Sequence, residues 1–171
     1  TAEASHITSI AVVSTNTAES IPAVPTLIPT STAWALENII YQHLCSITVS
    51  DFPEANRDNV KRVQFTITEK GGYCSWVIPL NRYNATSKKQ VTFWVKGEKG
   101  GEQYEVGIKD IKTSSGFEPK APETASASWT QVIIPLRDGF ANQDLSSLEN
   151  FSLNFKVGSG TIYVDQLIFT P

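Results

Sequence analysis

A chain of 171 residues with a formal net charge of −3 and only 18% charged side chains offers no basic footprint to a phosphate backbone, which argues against nucleic acid as a partner. No apolar run approaches the roughly 20 residues that a helix needs to cross a bilayer, so no membrane partner is expected. The length suits a single domain, residues 1–171, burying about 70% of its unfolded surface and needing neither metal nor disulfide to fold.

The chain begins at Thr1, contains no Met, and opens with the low-charge stretch TAEASHITSIAVVSTNTAESIPAVPTLIPTSTA. Residues 1–33 read as linker-like or peripheral, on the downstream side of a removed leader or between modules, which points to a secreted protein. Within them HITSIAVV, residues 6–13, suits an opening strand, whereas IPAVPTLIPTST carries too much Pro for a central one. ALENIIYQHL, residues 35–44, has helical periodicity.

From Val63 onward the period is mostly two, and the breaks carry Gly, Asn, Asp and Ser. Residues 61–68 set Val63, Phe65 and Ile67 against Arg62, Gln64, Thr66 and Thr68. YCSWVIPL follows the EKGG turn and leads to the polar loop NRYNATSKKQ. VTFWVKG sets Val91, Phe93 and Val95 against Thr92, Trp94 and Lys96. EQYEVGIKD points Tyr104, Val106 and Ile108 inward and Gln103, Glu105, Gly107 and Lys109 outward.

After a long loop, WTQVIIPL is apolar on both sides, as for a strand between layers. DLSSLEN, residues 144–150, has helical periodicity; FSLNFKV then alternates Phe151, Leu153, Phe155 and Val157 with Ser152, Asn154 and Lys156, and TIYVDQLIF closes the set. Many short strands without alternating helices predict an all-β fold of two packed antiparallel sheets, a jelly-roll sandwich.

Cys45 and Cys74 form one disulfide in an oxidising compartment or remain two buried thiols. Two N-glycosylation triplets occur, Asn84-Ala85-Thr86 and Asn150-Phe151-Ser152, a pattern common by chance.

From about Lys61 to Phe169 the chain resembles the galactose-binding-like β-jelly-roll modules attached to bacterial glycoside hydrolases. GGYCSWVIPL, VTFWVKGEKGGEQYEVGIKD, WTQVIIPL and GTIYVDQLIF carry the resemblance, in that order, over roughly two thirds of the chain. It implies a non-catalytic carbohydrate-binding module, often with a structural calcium ion. The N-terminal third departs from the usual acidic opening of the first strand.

If the strands share a sheet, Arg62, Gln64, Thr66, Trp94, Lys96, Gln103, Glu105, Lys109, Asn154 and Lys156 gather on one polar face. Sugar recognition needs such a mixture: an aromatic ring stacks on the C–H face of a pyranose, while amides and charges bind its hydroxyls. Trp94 is the pivotal aromatic. Trp76, with Tyr73 and Tyr83 near it, either lines one end of the same groove or packs in the core. Trp129 reads as a core or edge plug, and Trp34 lies where no element can be assigned.

Asp165, in YVDQLIF, shares parity with Tyr163, Leu167 and Phe169, and an unpaired charge among apolar neighbours is costly. Calcium would answer that cost, with Asp51, and further Glu37 or Glu102, as candidate co-ligands; a hydrogen bond or salt bridge is the alternative. Catalytic constellations are poor. The two histidines, His6 and His43, lie outside the strand region, and no nucleophile elbow, zinc helix or phosphate loop occurs. Glu102 with Glu105, or Glu105 with Asp110, is a conceivable glycosidase pair, but neighbouring carboxylates on a strand are usually surface charges.

The expectation is therefore a monomeric, secreted module that is not an enzyme, binds β-glucan or β-mannan chains and keeps a covalently linked glycoside hydrolase at its substrate. The rivals are a cell-surface adhesion sandwich and a small jelly-roll hydrolase or lyase.

Overall fold

The period-two alternation forms strands because it lets each run bury one side chain in two while the backbone pairs with its neighbours. A computed structural model describes residues 39–112, 118–119 and 123–171. The strands are β1 Ile39–His43, β2 Cys45–Asp51, β3 Lys61–Ile67, β4 Tyr73–Tyr83, β5 Gln90–Gly97 and β6 Gln103–Asp110, followed by the short β7 Glu118–Pro119 and β8 Glu123–Thr124. β9 Thr130–Pro135, the four-residue helix α1 Leu136–Gly139, β10 Leu148–Phe155 and β11 Ser159–Thr170 complete them.

One sheet has the order β1-β4-β10-β6-β7, with β8 also pairing β6, and the other β2-β3-β11-β5-β9; every pairing is antiparallel. The expected all-β sandwich is what the chain forms. Its core lies between the sheets and takes in Val63, Phe65, Trp76, Phe93, Val106, Phe151, Leu153 and Phe155. Phe65 of one sheet stacks on Phe155 of the other with ring centroids 4.2 Å apart.

Leu44, at φ +48°, turns the chain from β1 in the first sheet to β2 in the second. Gly72 fits under it, because a Cβ there would stand 2.2 Å from the Leu44 carbonyl oxygen. Cys45 and Cys74 are joined as a disulfide, which ties β2 to β4 and so one sheet to the other.

Several local expectations are corrected. ALENIIYQHL supplies strand β1 over Ile39–His43, and DLSSLEN is a turn leading into β10. WTQVIIPL forms β9 at the edge of its sheet, with Ile133 51% exposed and Ile134 buried, and its Leu136 begins α1. The opening strand expected at residues 6–13, the linker-like stretch 1–33 and Trp34 lie outside the described residues.

Candidate functional site

The ten polar residues expected on one face are divided between two. β3 and β5 belong to one sheet and β6 and β10 to the other, so the outward residues of each pair look away from the core in opposite directions. Pairing partners far apart in sequence decide this. Arg62, Gln64, Thr66, Trp94 and Lys96 fall on the β2-β3-β11-β5-β9 side, and Gln103, Glu105, Lys109, Asn154 and Lys156 on the other.

On the Trp94 side the connection between β2 and β3, residues 52–60, lies over the sheet. Phe52 packs on Tyr163 at 4.7 Å between centroids, and Asn56, in the left-handed region at φ +66°, helps turn the chain so that Arg57 reaches back. The Arg57 guanidinium carbon stands 5.0 Å from the Trp94 ring centroid and 4.1 Å from that of Trp129. Lys96 donates to both Glu54 oxygens, at 2.9 and 3.1 Å, and Trp129 Nε1 donates to Glu54 Oε1 at 2.8 Å. These bonds hold the Glu54 carboxyl below its ordinary value: the Trp129 hydrogen bond does most, desolvation opposes it, and Lys96 and Arg57 add to it. Trp94 is half-buried and its ring faces a cation from its own chain. Gln64 and Thr66 are exposed beside Ser46 and Thr48 in a shallow polar surface, one strand from this strap.

For Asp165 the structure shows the salt bridge that was the alternative to calcium, and it changes the expected parity. A bulge between Asp165 and Ile168, with Gln166 at φ +55°, shifts the register of β11. Leu167 and Phe169 enter the core, while Asp165 turns to the strap, where Arg57 Nη1 donates to its Oδ2 at 2.7 Å. Asp165 is 0% exposed, and its Oδ1 has no donor among the described residues.

The carboxylates considered for calcium do not assemble. Asp51 pairs with Lys61 at 2.5 Å, Glu102 Oε1 accepts from the Lys99 N–H at 2.9 Å, and Glu37 lies outside the described residues. No group of three or more His, Cys, Asp or Glu side chains suited to a metal occurs among the described residues. Among the described residues Asp165 takes its counter-charge from Arg57.

Trp76 is 0% exposed and sits in the core beside Leu153 and Val106, so it lines no groove. Tyr83 packs on Phe169 at 5.1 Å. The conceivable glycosidase pairs do not face each other either. Glu105 points outward, Glu102 turns over Gly97 and Gly160 at one end of the core, and Asp110 is buried and accepts backbone N–H groups of Lys112 and Asp144.

The register arranges the outward face of the first sheet in rows. Tyr41 pairs with Ser75, Ser75 with Asn154, and Asn154 with Glu105. The next row runs Ile39, Val77, Ser152 and Gly107 to Pro119. His43 stands opposite Tyr73, their ring centroids 5.6 Å apart, and Asn150 lies between Pro79 and Lys109. Each step across a row is one strand spacing, about 4.8 Å.

The middle of this face is small, buried and internally bonded. Ser75 Oγ donates to Asn154 Oδ1 at 2.6 Å, Asn154 Nδ2 donates to Ser152 Oγ at 3.1 Å, and Ser152 Oγ donates to the Gly107 carbonyl at 3.4 Å. That chain of bonds runs across β4, β10 and β6, and it satisfies groups that would otherwise be costly to bury.

Reachable groups flank the middle. Tyr41 is 56% exposed and Tyr73 46%, on the β1 and β4 side. Gln103, Glu105, Lys109 and Lys156 stand on the β6 and β10 side, with Lys156 on Glu105 at 2.5 Å and Lys109 on Glu149 at 3.9 Å. Five of the nine residues singled out for sugar recognition, Tyr73, Gln103, Glu105, Lys109 and Asn154, share this face; Trp94, Arg62 and Gln64 lie on the opposite one. Tyr41 and His43 were missed because their segment reads as a helix. The alternation of Ile39, Tyr41 and His43 against Ile40 and Gln42 was the available signal.

Exposed tyrosines beside paired polar groups on one face of a β-sandwich are chemistry that a carbohydrate-binding domain can use. The family described as Carbohydrate binding domain 30 matches residues 30–171, and the chain belongs to that family. Among solved structures it is similar to the family 11 carbohydrate-binding module of the cellulosomal cellulase Lic26A-Cel5E of Clostridium thermocellum, with TM-score 0.64 and 16% identity over 82% of this chain and 94% of that one. The family 30 module of the cellulosomal cellulase Cel9D-Cel44B of the same organism gives TM-score 0.59 and 17% identity over 78% and 91%. A mutant family 29 carbohydrate-binding module complexed with mannohexaose gives 0.55 and 12% over 81% and 91%. At these identities the likeness establishes the fold. No curated protein matches the chain.

Proposed function

We propose that the chain is a non-catalytic module that binds a neutral β-linked polysaccharide, of β-glucan or β-mannan type, across the outward face of the β1-β4-β10-β6-β7 sheet. One observation carries this reading: Tyr41 and Tyr73 stand exposed on the same face as an amide, carboxylate and ammonium set held over a rigid floor. Aromatic rings supply stacking surface for the C–H faces of pyranoses, and the polar groups read hydroxyls.

Both lysines on the face are matched by glutamates, so the surface has no charge surplus to attract an acidic glycan. Two of the similar structures support the substrate class: a family 11 module was solved with a β-1,3-1,4-mixed-linked tetrasaccharide and the family 29 module with mannohexaose. The module is a monomer that holds an attached glycoside hydrolase at its substrate. The Cys45–Cys74 disulfide supports a secreted location, since such bonds persist in oxidising compartments.

Affinity electrophoresis over neutral and acidic polysaccharides tests the reading. Tyr73→Ala and Tyr41→Ala are expected to lose retardation on mixed-linkage glucan or glucomannan, and Trp94→Ala to keep it. Retention by both tyrosine variants, or loss in Trp94→Ala with its fold intact, would move the site to the other sheet.

A further inference from the structure

On the outward face, four side chains meet where the start of β6 lies beside the end of β10. Glu105 is in register with Asn154, and two further antiparallel steps set Gln103 against Lys156. With Tyr104 and Val157 they line a depression of about 60 Å³. Roughly 10–15 Å³ suffices for one water on this measure, so the space admits a small substituent and not a sugar ring.

Its walls have two chemistries. Val157 and the methylene stem of Lys156 are apolar. Asn154 is 8% exposed; its Oδ1 already accepts from Ser75, and its Nδ2 gives one hydrogen to Ser152. An amide nitrogen has two hydrogens, so one N–H is left without a partner among the described residues. The Glu105 carboxylate, fixed by Lys156, stands on the same rim and accepts. A methylene that ends in a hydroxyl matches this lining: carbon against Val157, hydroxyl between an N–H donor and a carboxylate.

The position is as specific as the chemistry. Phe155 pairs with Cys74, so the next step puts Lys156 opposite Tyr73; strand spacings of about 4.8 Å set the near wall of the depression one spacing from the tyrosine and the β6 wall two. A pyranose stacked on Tyr73 with its exocyclic substituent turned toward β10 would carry that group over the space.

We infer that the depression bounded by Gln103, Glu105, Asn154 and Lys156 is a subsite for the exocyclic hydroxymethyl group of a hexopyranose stacked on Tyr73, so that the module selects hexose-built chains over pentose-built ones. The inference rests on the glycan-binding reading of this face. It makes Val157 and Gln103 specificity-determining residues, although neither supplies the stacking surface.

Titration calorimetry with cellohexaose, mannohexaose and xylohexaose tests it, because the xylan fragment has the β-1,4 backbone of cellohexaose without the hydroxymethyl groups. The wild type is expected to bind at least one hexose oligomer about tenfold or more tightly than xylohexaose, the scale on which a pocket reads one small group. Val157→Phe plugs the depression from an exposed position and should weaken the hexose oligomer while leaving xylohexaose unchanged. Val157→Met provides a second, more flexible plug should the melting temperature of Val157→Phe fall. Equal affinity for hexose and pentose oligomers, or equal weakening of both by the plugs, overturns the subsite. Absence of binding to every glycan by the wild type overturns the glycan reading itself, and the subsite with it.

Discussion

The Arg57 guanidinium donates to the Asp165 carboxylate at 2.7 Å, from 108 residues away in sequence, while standing between the indoles of Trp94 and Trp129. This contact fastens the β2–β3 connection over the second sheet, and it explains how a fully buried aspartate is tolerated there. Breaking a buried pair from one side costs about 3–5 kcal/mol, because the other charge is left uncompensated.

Arg57→Met is accordingly expected to lower the melting temperature by on the order of 10 °C, and Asp165→Leu added to it to recover much of the loss. Scanning calorimetry of the two variants checks this. A chelator is expected to leave the wild-type transition where it was, since the counter-charge of Asp165 is an arginine; a fall in the transition with chelator would restore calcium to the account.

The disulfide closes a sequence separation of 29 residues, for which chain entropy predicts a stabilisation of about 3–4 kcal/mol. Thermal melts with and without reductant should therefore differ by roughly 6–16 °C. Tyr73 directly precedes Cys74, so glycan affinity should fall along with stability. A reduced protein with unchanged melting temperature and affinity would show that the bond constrains neither.

Glu54 couples the strap to acid. Its carboxyl is held below the ordinary value of 4.5, chiefly by the Trp129 indole N–H. A carboxyl depressed in the folded state contributes stability that is present above 4.5 and lost as pH falls through its folded value. Glu54→Gln should flatten the acid limb of the stability curve and remove any change in tryptophan fluorescence across that range. An identical acid limb in the variant would assign it to other carboxylates.

The alternation of Val63, Phe65 and Ile67, or of Phe151, Leu153 and Phe155, was enough to orient each strand, because parity is a local property of the chain. Which strands share a sheet is not local. β4 pairs with β10 and β3 with β11 across most of the sequence, so Trp94 and Asn154 look like companions in a linear reading and stand on opposite sides of the fold. The bulge at Gln166 defeated parity itself: one inserted residue sends Asp165 outward and Leu167 inward, with no composition signal to mark it. Tyr41 was hidden because Ala35, Leu36, Ile39 and Ile40 mimic a helical stripe, whereas pairing with β4 decides that Ile39–His43 is a strand.

The strap also sets valency. With residues 52–60 pinned over Trp94 and Trp129, the aromatic part of the second sheet is closed and the exposed tyrosines lie on the first sheet alone among the described residues. A reader with one front grips one chain at a time. On the proposed reading such a domain would not knit neighbouring polysaccharides into a network, and its solutions with soluble glucan should stay clear where a double-sided binder would turn them cloudy.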